Sequence, residues 1–320
     1  MVLALVRVQV PASTTNLGPG FDALGVALRI YNRMELDILP WGVALEVEGE
    51  GRDVIPRDES NVCVQGVKRV FDRVGRPFNG LWMKQRNHIP LARGLGSSSA
   101  AIVGGIVGAN ILLGSPLGMD ELVQIAVEME GHPDNVVPAL IGGFCISATA
   151  TDGKTIYTRM PVVEDYRWVI VIPDFEVSTH AARQKLPGEV SLGDAIFNVQ
   201  RVGALMAAFA TGRDELFREA MQDRLHQPYR AELMGPLEEV FEAAYKAGAL
   251  GACISGAGPC ILAICRDHPG RVGNAMREVY ESQGIGCRMH VLRIDPRGAH
   301  AVDPNSVFGP GALAVAGSSR

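Results

Sequence analysis

Three short segments carry residues whose types and spacing could handle a phosphorylated ligand. The first is Pro90-Leu-Ala-Arg93-Gly94-Leu95-Gly96-Ser97-Ser98-Ser99-Ala100. Its two glycines allow the backbone to approach an anion closely and to adopt positive φ. Its three hydroxyls stand where a helix is expected to begin, and a helix start offers unpaired N–H groups and the positive end of the dipole. A phosphate fits that combination; the blander alternative, a Ser N-cap after a Gly turn, needs one hydroxyl and not three. The second segment is Gly251-Ala-Cys-Ile-Ser255-Gly256-Ala-Gly258-Pro259. Alone it reads equally as a tight turn between strands; beside the first loop it predicts a second wall of one phosphate site. The third is Glu128-Met-Glu130-Gly-His132-Pro-Asp134-Asn135. Glu130 ends a predicted helix, where the dipole disfavours an anion. A magnesium ion bridging phosphates would relieve that, since Mg²⁺ usually takes one or two protein oxygens beside those of a nucleotide. Taken singly, Glu130 reads as a solvated carboxylate, and His132 with Asp134 reads either as a catalytic dyad or as a structural pair.

Other phosphate and nucleophile motifs do not compete. Gly153-Lys154-Thr155 ends like a P-loop, but Ala148 stands where the first Gly is required. Neither Gly-x-Gly-x-x-Gly nor Gly-x-Ser-x-Gly occurs.

The elements that must hold these segments follow from periodicity. Val6–Val10 alternates and predicts a strand, and the stretch 11–20 predicts a long turn-rich loop leading to Phe21-Asp22. Strands are expected at 31–39, 42–47 and 80–86, and a helix at 61–74 from apolar residues at 62, 63, 67, 70, 71 and 74. The serine-rich loop at 90–99 precedes a small-residue helix at 100–113 and an amphipathic one at 119–129. Strands at 142–148 and 156–160 lead to a polar stretch at 161–165, the expected boundary between domains 1–160 and 161–296. Beyond it come a buried strand at 168–172, helices at 193–211, 213–222 and 236–247, a Gly-rich turn and strand within 248–265, a helix at 271–283 and a strand at 287–293. That order suits an α+β domain. Residues 297–320, dominated by Gly, Ala, Ser and Pro, read as a poorly ordered tail.

Composition excludes several classes. With 320 residues, 47% apolar and 20% charged, the chain has the makings of two ordinary globular domains. A net charge of -5 argues against a non-specific nucleic-acid binder. The cysteines at 63, 145, 253, 260, 265 and 287 have no zinc-ligand spacing and read as reduced, mostly buried thiols. Met1–Arg7 has no basic region before its short apolar run, so no secretory signal is expected. The longest apolar stretch, 100–113, contains Asn110 and is too short to cross a bilayer. A cytoplasmic protein with neither nucleic-acid nor membrane partner is the expectation.

Together the segments resemble the GHMP kinase superfamily of small-molecule kinases. Residues 90–101 are similar to its Pro-x-x-x-Gly-Leu-Gly-Ser-Ser-Ala-Ala loop, with Ser99 in place of the first Ala, and Ser255–Pro259 is similar to its C-terminal Gly-rich motif. Within the superfamily the homoserine kinase family matches further. Asn16-Leu-Gly-Pro-Gly-Phe-Asp22, Glu130-Gly-His-Pro-Asp-Asn135-Val-Val-Pro, Val177-Ser-Thr179-His-Ala-Ala-Arg183 and Gln227-Pro-Tyr-Arg230 follow in the family's order. The resemblance runs from about residue 4 to about residue 294. It implies an α+β, two-domain GHMP kinase fold: an ATP-binding domain similar to ribosomal protein S5 domain 2, then a ferredoxin-like domain. It implies transfer of phosphate from ATP to the hydroxyl of L-homoserine, giving O-phospho-L-homoserine on the way to threonine, with Mg²⁺; a homodimer is common among relatives.

Residue by residue, the resemblance implies that Ser98 and Glu130 hold Mg²⁺. Pro90, Arg93 and the backbone of Gly94, Leu95, Gly96, Ser97, Ser98 and Ser99 would cradle the phosphates with Gly256 and Gly258, and Asn61 would touch the nucleoside. Arg183 and Arg230 would clamp the substrate carboxylate, which suits the guanidinium fork. Asp22 would take the ammonium, with Asn16, His132, Asn135 and Thr179 lining the substrate site. No catalytic base is evident. The resemblance implies that Asn135 faces the hydroxyl; Asp22 and Asp134 stay candidates, and alignment with electrostatic stabilisation can suffice for loose phosphoryl transfer. Two other functions compete. A kinase for another small alcohol such as mevalonate does not need the zwitterion-binding set Asp22, Arg183 and Arg230. A catalytically dead ligand sensor does not need Ser98 and Glu130.

Overall fold

The computed structural model describes residues 5–303. Its first sheet opens with β1 (Val6–Asn16), β2 (Gly20–Ile38) and β3 (Gly42–Gly49). The long loop expected at 11–20 is corrected here. Residues 11–16 continue β1, with register shifts at Pro11/Ala12 and Thr15/Asn16, and only residues 17–19 turn. Such irregularities let a strand absorb a proline and re-aim its side chains. The polar residues that imitate a loop (Ser13, Thr14, Thr15 and Asn16) are buried.

α1 (Val62–Arg73) leads into β4 (Gly80–Asn87), which runs parallel to β3 and antiparallel to β2. α2 (Ser97–Leu112) starts three residues before the predicted helix and takes all three serines into its first turn. Apart from Ser98, which is exposed, and the half-buried Ile111, it is buried on every side, as an all-apolar helix should be. α3 (Met119–Glu130) stops at Gly131 with φ 89°, and Pro133 opens α4 (Pro133–Ile141). A left-handed Gly ending one helix and a Pro starting the next force the chain to turn sharply between them. α4 is missing from the expectations above because Pro138 inside it breaks the usual pattern. The hairpin β5 (Phe144–Thr149) and β6 (Thr155–Met160) joins the sheet through β2.

The second sheet begins at β7 (Arg167–Pro173). α5 (Thr179–Gln184), α6 (Leu192–Thr211), α7 (Phe217–Ala220), α8 (Gln227–Arg230) and α9 (Leu237–Ala247) follow. Then β8 (Gly251–Ile254), β9 (Ile261–Cys265), α10 (Pro269–Ser282) and β10 (Cys287–Leu292) complete it in the order β10-β7-β9-β8, antiparallel throughout. The segment expected to hold one strand within 248–265 thus holds two, folded around the second Gly-rich motif. The unbroken apolar run of β7 has a geometric cause. Trp168, Ile170 and Ile172 face a core shared with the first sheet, whereas Val169 and Val171 face a core built with α9 and α10. Both faces of the strand are buried, so polar residues have no place in it.

The tail is also corrected in part. Residues 297–303 are placed, and β11 (His300–Ala301) pairs with Val8 and Gln9 of β1. An open strand edge carries unpaired N–H and C=O groups, a docking opportunity that composition cannot reveal. Residues 304–320 of the expected tail lie outside the described residues. Among the described residues no helix is long and apolar enough to cross a membrane. All the cysteines except the half-buried Cys287 are buried, and none forms a disulfide.

Candidate active site

A cleft of about 450 Å³ is lined by the adjoining ends of β1 and β2, the loop before α2 and its first turn, the α3–α4 junction, α5, Arg230 and the β8–β9 turn. The two Gly-rich motifs meet there. Gly94 has φ 72°, and a Cβ on it would lie 2.0 Å from the carbonyl oxygen of Ser255. The Ser255 hydroxyl donates to the Gly94 carbonyl at 2.7 Å. Gly96, with φ 66°, is the N-cap of α2, and a Cβ there would fall 2.0 Å from Ser13 Oγ and 2.9 Å from Asn135 Oδ1. Only glycine fits both places, and the close fit locks the loop so that the start of α2 opens on the cleft.

The three serines do different things. Ser97 is buried and donates to the Ile89 carbonyl at 3.2 Å. Ser99 donates to Glu130 Oε1 at 2.6 Å. Ser98 is the exposed one and lines the cleft, as Glu130 does. A hydroxyl and a carboxylate are hard oxygen donors, so this pair fits Mg²⁺. Arg93 also lines the cleft, its Nη1 3.3 Å from Glu176 and its buried Nε without a partner. Pro90 and Gly258, expected in the phosphate cradle, do not line it; Gly258 backs onto Met234. Asn61 lines the cleft but is engaged at both ends: Oδ1 accepts from the Cys63 amide and caps α1, and Nδ2 donates to the Pro56 carbonyl.

The charged part of the cleft is one connected cluster. Arg183 on α5 donates through both terminal nitrogens to Asp22, at 2.8 and 3.0 Å. Asp22 has φ 56°, and its amide donates to Asn16 Oδ1 at 3.0 Å while Asn16 Nδ2 donates to the Gly256 carbonyl at 3.0 Å. His132 Nδ1–H donates to Asp134 at 2.5 Å. Burial opposes the charged imidazolium, but the hydrogen bond and charge of Asp134, with Glu130 and Asp22 nearby, hold His132 above its ordinary value. Ligand atoms of Asp22, His132 and Asp134 lie within 4.8 Å of one another. Asn135 Oδ1 accepts from Ser13 Oγ at 2.8 Å, which leaves its amide N–H groups for the cleft. Thr179, exposed at the first position of α5, completes this side.

Arg230 is 2% exposed. Nε donates to the Ala182 carbonyl at 3.3 Å, and Nη1 donates to the Gly256 carbonyl and to His226 Nδ1, both at 3.2 Å. Nη2 takes no part in these bonds. Arg183 and Arg230 both lie over the ring of Phe21, at 5.5 and 5.2 Å from its centroid.

Known proteins resemble this chain over most of its length. Residues 61–143 match the GHMP kinases N terminal domain and 205–282 match the GHMP kinases C terminal family. The homoserine kinase of Carboxydothermus hydrogenoformans is 44% identical over 295 residues, 92% of this chain and 96% of its own. That of Moorella thermoacetica is 46% identical over 286 residues, 89% of this chain and 96% of its own. The chain belongs to the homoserine kinase family. A crystal structure of homoserine kinase from Cytophaga hutchinsonii agrees, at 30% identity and a TM-score of 0.86, covering 94% of this chain and 98% of that one. The two-domain α+β fold is thus that of the GHMP kinases, and a mevalonate kinase structure at 14% identity and a TM-score of 0.67 shares the fold alone.

In this homoserine kinase family member, residues far apart in the chain converge: Asp22, Ser98, Glu130, His132, Asn135, Arg183 and Arg230 line one cleft. Three supporting residues escaped the sequence reading. Ser13 sits in a stretch read as loop. Asp223 and His226 flank the Gln227-Pro-Tyr-Arg230 motif, and the signal that could have found them is their place in Asp-x-x-His, whose spacing puts a carboxylate over the following backbone amides.

Proposed function

We propose that this chain transfers the γ-phosphoryl group of ATP to the side-chain hydroxyl of L-homoserine, releasing ADP and O-phospho-L-homoserine. One observation carries the reading: the open N-terminus of α2, with Ser98 and Glu130, shares its cleft with the acid–arginine cluster of Asp22, Arg183 and Arg230. The first is suited to a nucleotide's phosphates and the second to an α-amino acid zwitterion. Ile55, Pro56, Val62 and Leu91 line an apolar part of the cleft, fit for the base. We assign Asn61 to shaping that part by capping α1 rather than to bonding the nucleoside.

The phosphates would lie against the amides of residues 94–99, and Ser98 and Glu130 would hold the Mg²⁺ that accompanies ATP, which when bound would neutralise charge on the phosphates. The ammonium engages Asp22 and the carboxylate engages Arg183 and Arg230, which brings the hydroxyl to the Asn135 amide. Asn135 can donate there but cannot take a proton. Asp134 is tied to His132 and Asp22 to Arg183, so neither is a free base. In a loose transition state the hydroxyl proton leaves late, and oxygens of the transferring group can receive it. The chain's contribution is alignment and fixed dipoles. Buried free thiols suit the cytoplasm, where ATP is available.

A panel of alcohols assayed for ADP release tests the reading. Homoserine should give the highest kcat/KM. Faster turnover of mevalonate, or homoserine binding without ADP release, overturns it. Glu130→Gln tests the metal-holding role and should lose most of kcat while keeping the fold; near wild-type kcat at saturating Mg²⁺ would remove Glu130 from it.

A further inference from the structure

His226 is fully buried, and its two ring nitrogens have different partners. Nε2–H donates to the Gly18 carbonyl at 2.7 Å, which leaves Nδ1 as the acceptor that Arg230 Nη1 approaches at 3.2 Å. A carbonyl cannot donate and a guanidinium cannot accept, so these neighbours specify one neutral tautomer. The ring stacks on Phe21 at 5.2 Å with a 27° tilt, and Phe21 is the ring under both substrate-facing arginines.

The backbone of His226 is anchored in turn. The buried Asp223 carboxylate accepts from the amides of Leu225, His226 and Gln227 at 2.9, 2.9 and 2.6 Å, and from Asn198 Nδ2 at 2.7 Å. Asn198 Nδ2 also donates to the Pro19 carbonyl at 3.1 Å. The carbonyls of residues 18 and 19, which form the turn between Asn16 and Asp22, are therefore both held from the second half of the chain.

We propose that His226 is a positioning residue: as the neutral Nε2–H tautomer it holds the turn that carries Asp22 at a set distance from Arg230, and so matches the site to the ammonium–carboxylate spacing of an α-amino acid. The inference rests on the proposed roles of Asp22 and Arg230 as the substrate's ion partners. Protonating the ring would convert the Nδ1 acceptor into a donor aimed at a guanidinium. Burial and the charge of Arg230 resist that protonation, against the opposing pull of Asp223, the Gly18 carbonyl and Asp22.

Two variants separate the two bonds. His226→Gln retains a donor toward Gly18 but offers no acceptor at the Nδ1 position; His226→Asn retains that acceptor but is too short for Gly18. Each should raise the homoserine KM by roughly ten-fold, the weight of one hydrogen bond involving a charged group or a fixed turn, with kcat and the KM for ATP nearly unchanged. Unchanged homoserine KM with a lowered Tm means that His226 only packs, and equal rises in both KM values mean a general loosening; either result overturns the proposal. Nitrogen-15 NMR of the intact wild-type chain, with His226→Gln as the assignment control, provides a readout that needs no substrate. Nε2 should be protonated and Nδ1 bare between about pH 6 and pH 8, where an ordinary imidazole titrates. A proton on Nδ1 in that range overturns the proposal. Absence of any homoserine turnover by the wild type would instead sink the substrate reading, and the NMR result would still decide the tautomer.

Discussion

Asp22 and Arg183 are each other's ion partner, joined through two parallel hydrogen bonds. In the proposed function, a zwitterion entering the cleft would exchange that pairing: its carboxylate would replace Asp22 on Arg183, and its ammonium would replace Arg183 on Asp22. A neutral alcohol would offer no such exchange, so the pair would select against it. Asp22→Asn would remove the anion that the proposed function gives to the ammonium, a charge-assisted bond worth about 1.5–3 kcal/mol. Homoserine should bind roughly ten- to a hundred-fold more weakly, while ATP affinity barely moves; calorimetry with a non-hydrolysable ATP analogue measures both. A collapse of kcat with homoserine affinity intact would make Asp22 the base instead. His132 adds a pH dependence. Its pKa is raised on folding, so the stabilisation from its pair with Asp134 is complete below the ordinary imidazole value of about 6.5 and is lost as pH rises through the raised folded value. His132→Gln should therefore lower the Tm at pH 6 more than at pH 9, and an equal effect at the two pH values contradicts the assignment.

At the scale of elements, the start of α2 decides whether the helix presents its unpaired amides to the cleft. Gly96 holds a left-handed conformation that costs other L-residues about 1–2 kcal/mol, and an added Cβ collides with Ser13 Oγ. Gly96→Ala should lower the Tm by at least roughly 2–4 °C. It should also raise the KM for ATP more than that for homoserine, because Ser13 would have to release Asn135 and the loop would shift off the helix axis. A variant with wild-type Tm and KM values would show that the loop tolerates a Cβ. The α3–α4 junction works similarly: Gly131 and Pro133 place Glu130 and His132 on consecutive helix ends, where both line the cleft.

The whole molecule depends on one core crossing both sheets. Phe209 of α6 meets Phe144 of β5 edge-on at 4.8 Å, stacks on Trp168 of β7 at 5.9 Å, and meets Phe217 at 4.8 Å. Tyr166, in the connector between the sheets, packs on the same rings. Because the cleft is lined from both halves, this aromatic cluster also holds the site together. Phe209→Ala should cost about 3–5 kcal/mol. Wild-type unfolding followed by far-UV and near-UV circular dichroism should give coincident transitions. Two separated transitions would show that the halves melt independently and that the cluster does not couple them.

Periodicity placed most strands and helices of this chain, and local chemistry singled out the Gly-Ser loop at 90–100, the Gly-rich segment at 251–259 and the stretch around Glu130, because amphipathic spacing and Gly-Ser patterning are local signals. Asp22, Arg183 and Arg230 entered through the resemblance of their motifs to the homoserine kinase family. Contacts between distant segments were not legible. Residues 11–16 look like a loop because their polar side chains are satisfied by partners far along the chain, such as Ser255 for Thr14 and Gly256 for Asn16. The tail's return to the edge of β1 is invisible to composition for the same reason. Only the tertiary structure gave Ser97 and Ser99 their partners, paired Asp22 with Arg183, and set the neighbours of the His226 ring. Each of those outcomes depends on which donor meets which acceptor across more than a few residues of chain, and only folding decides that.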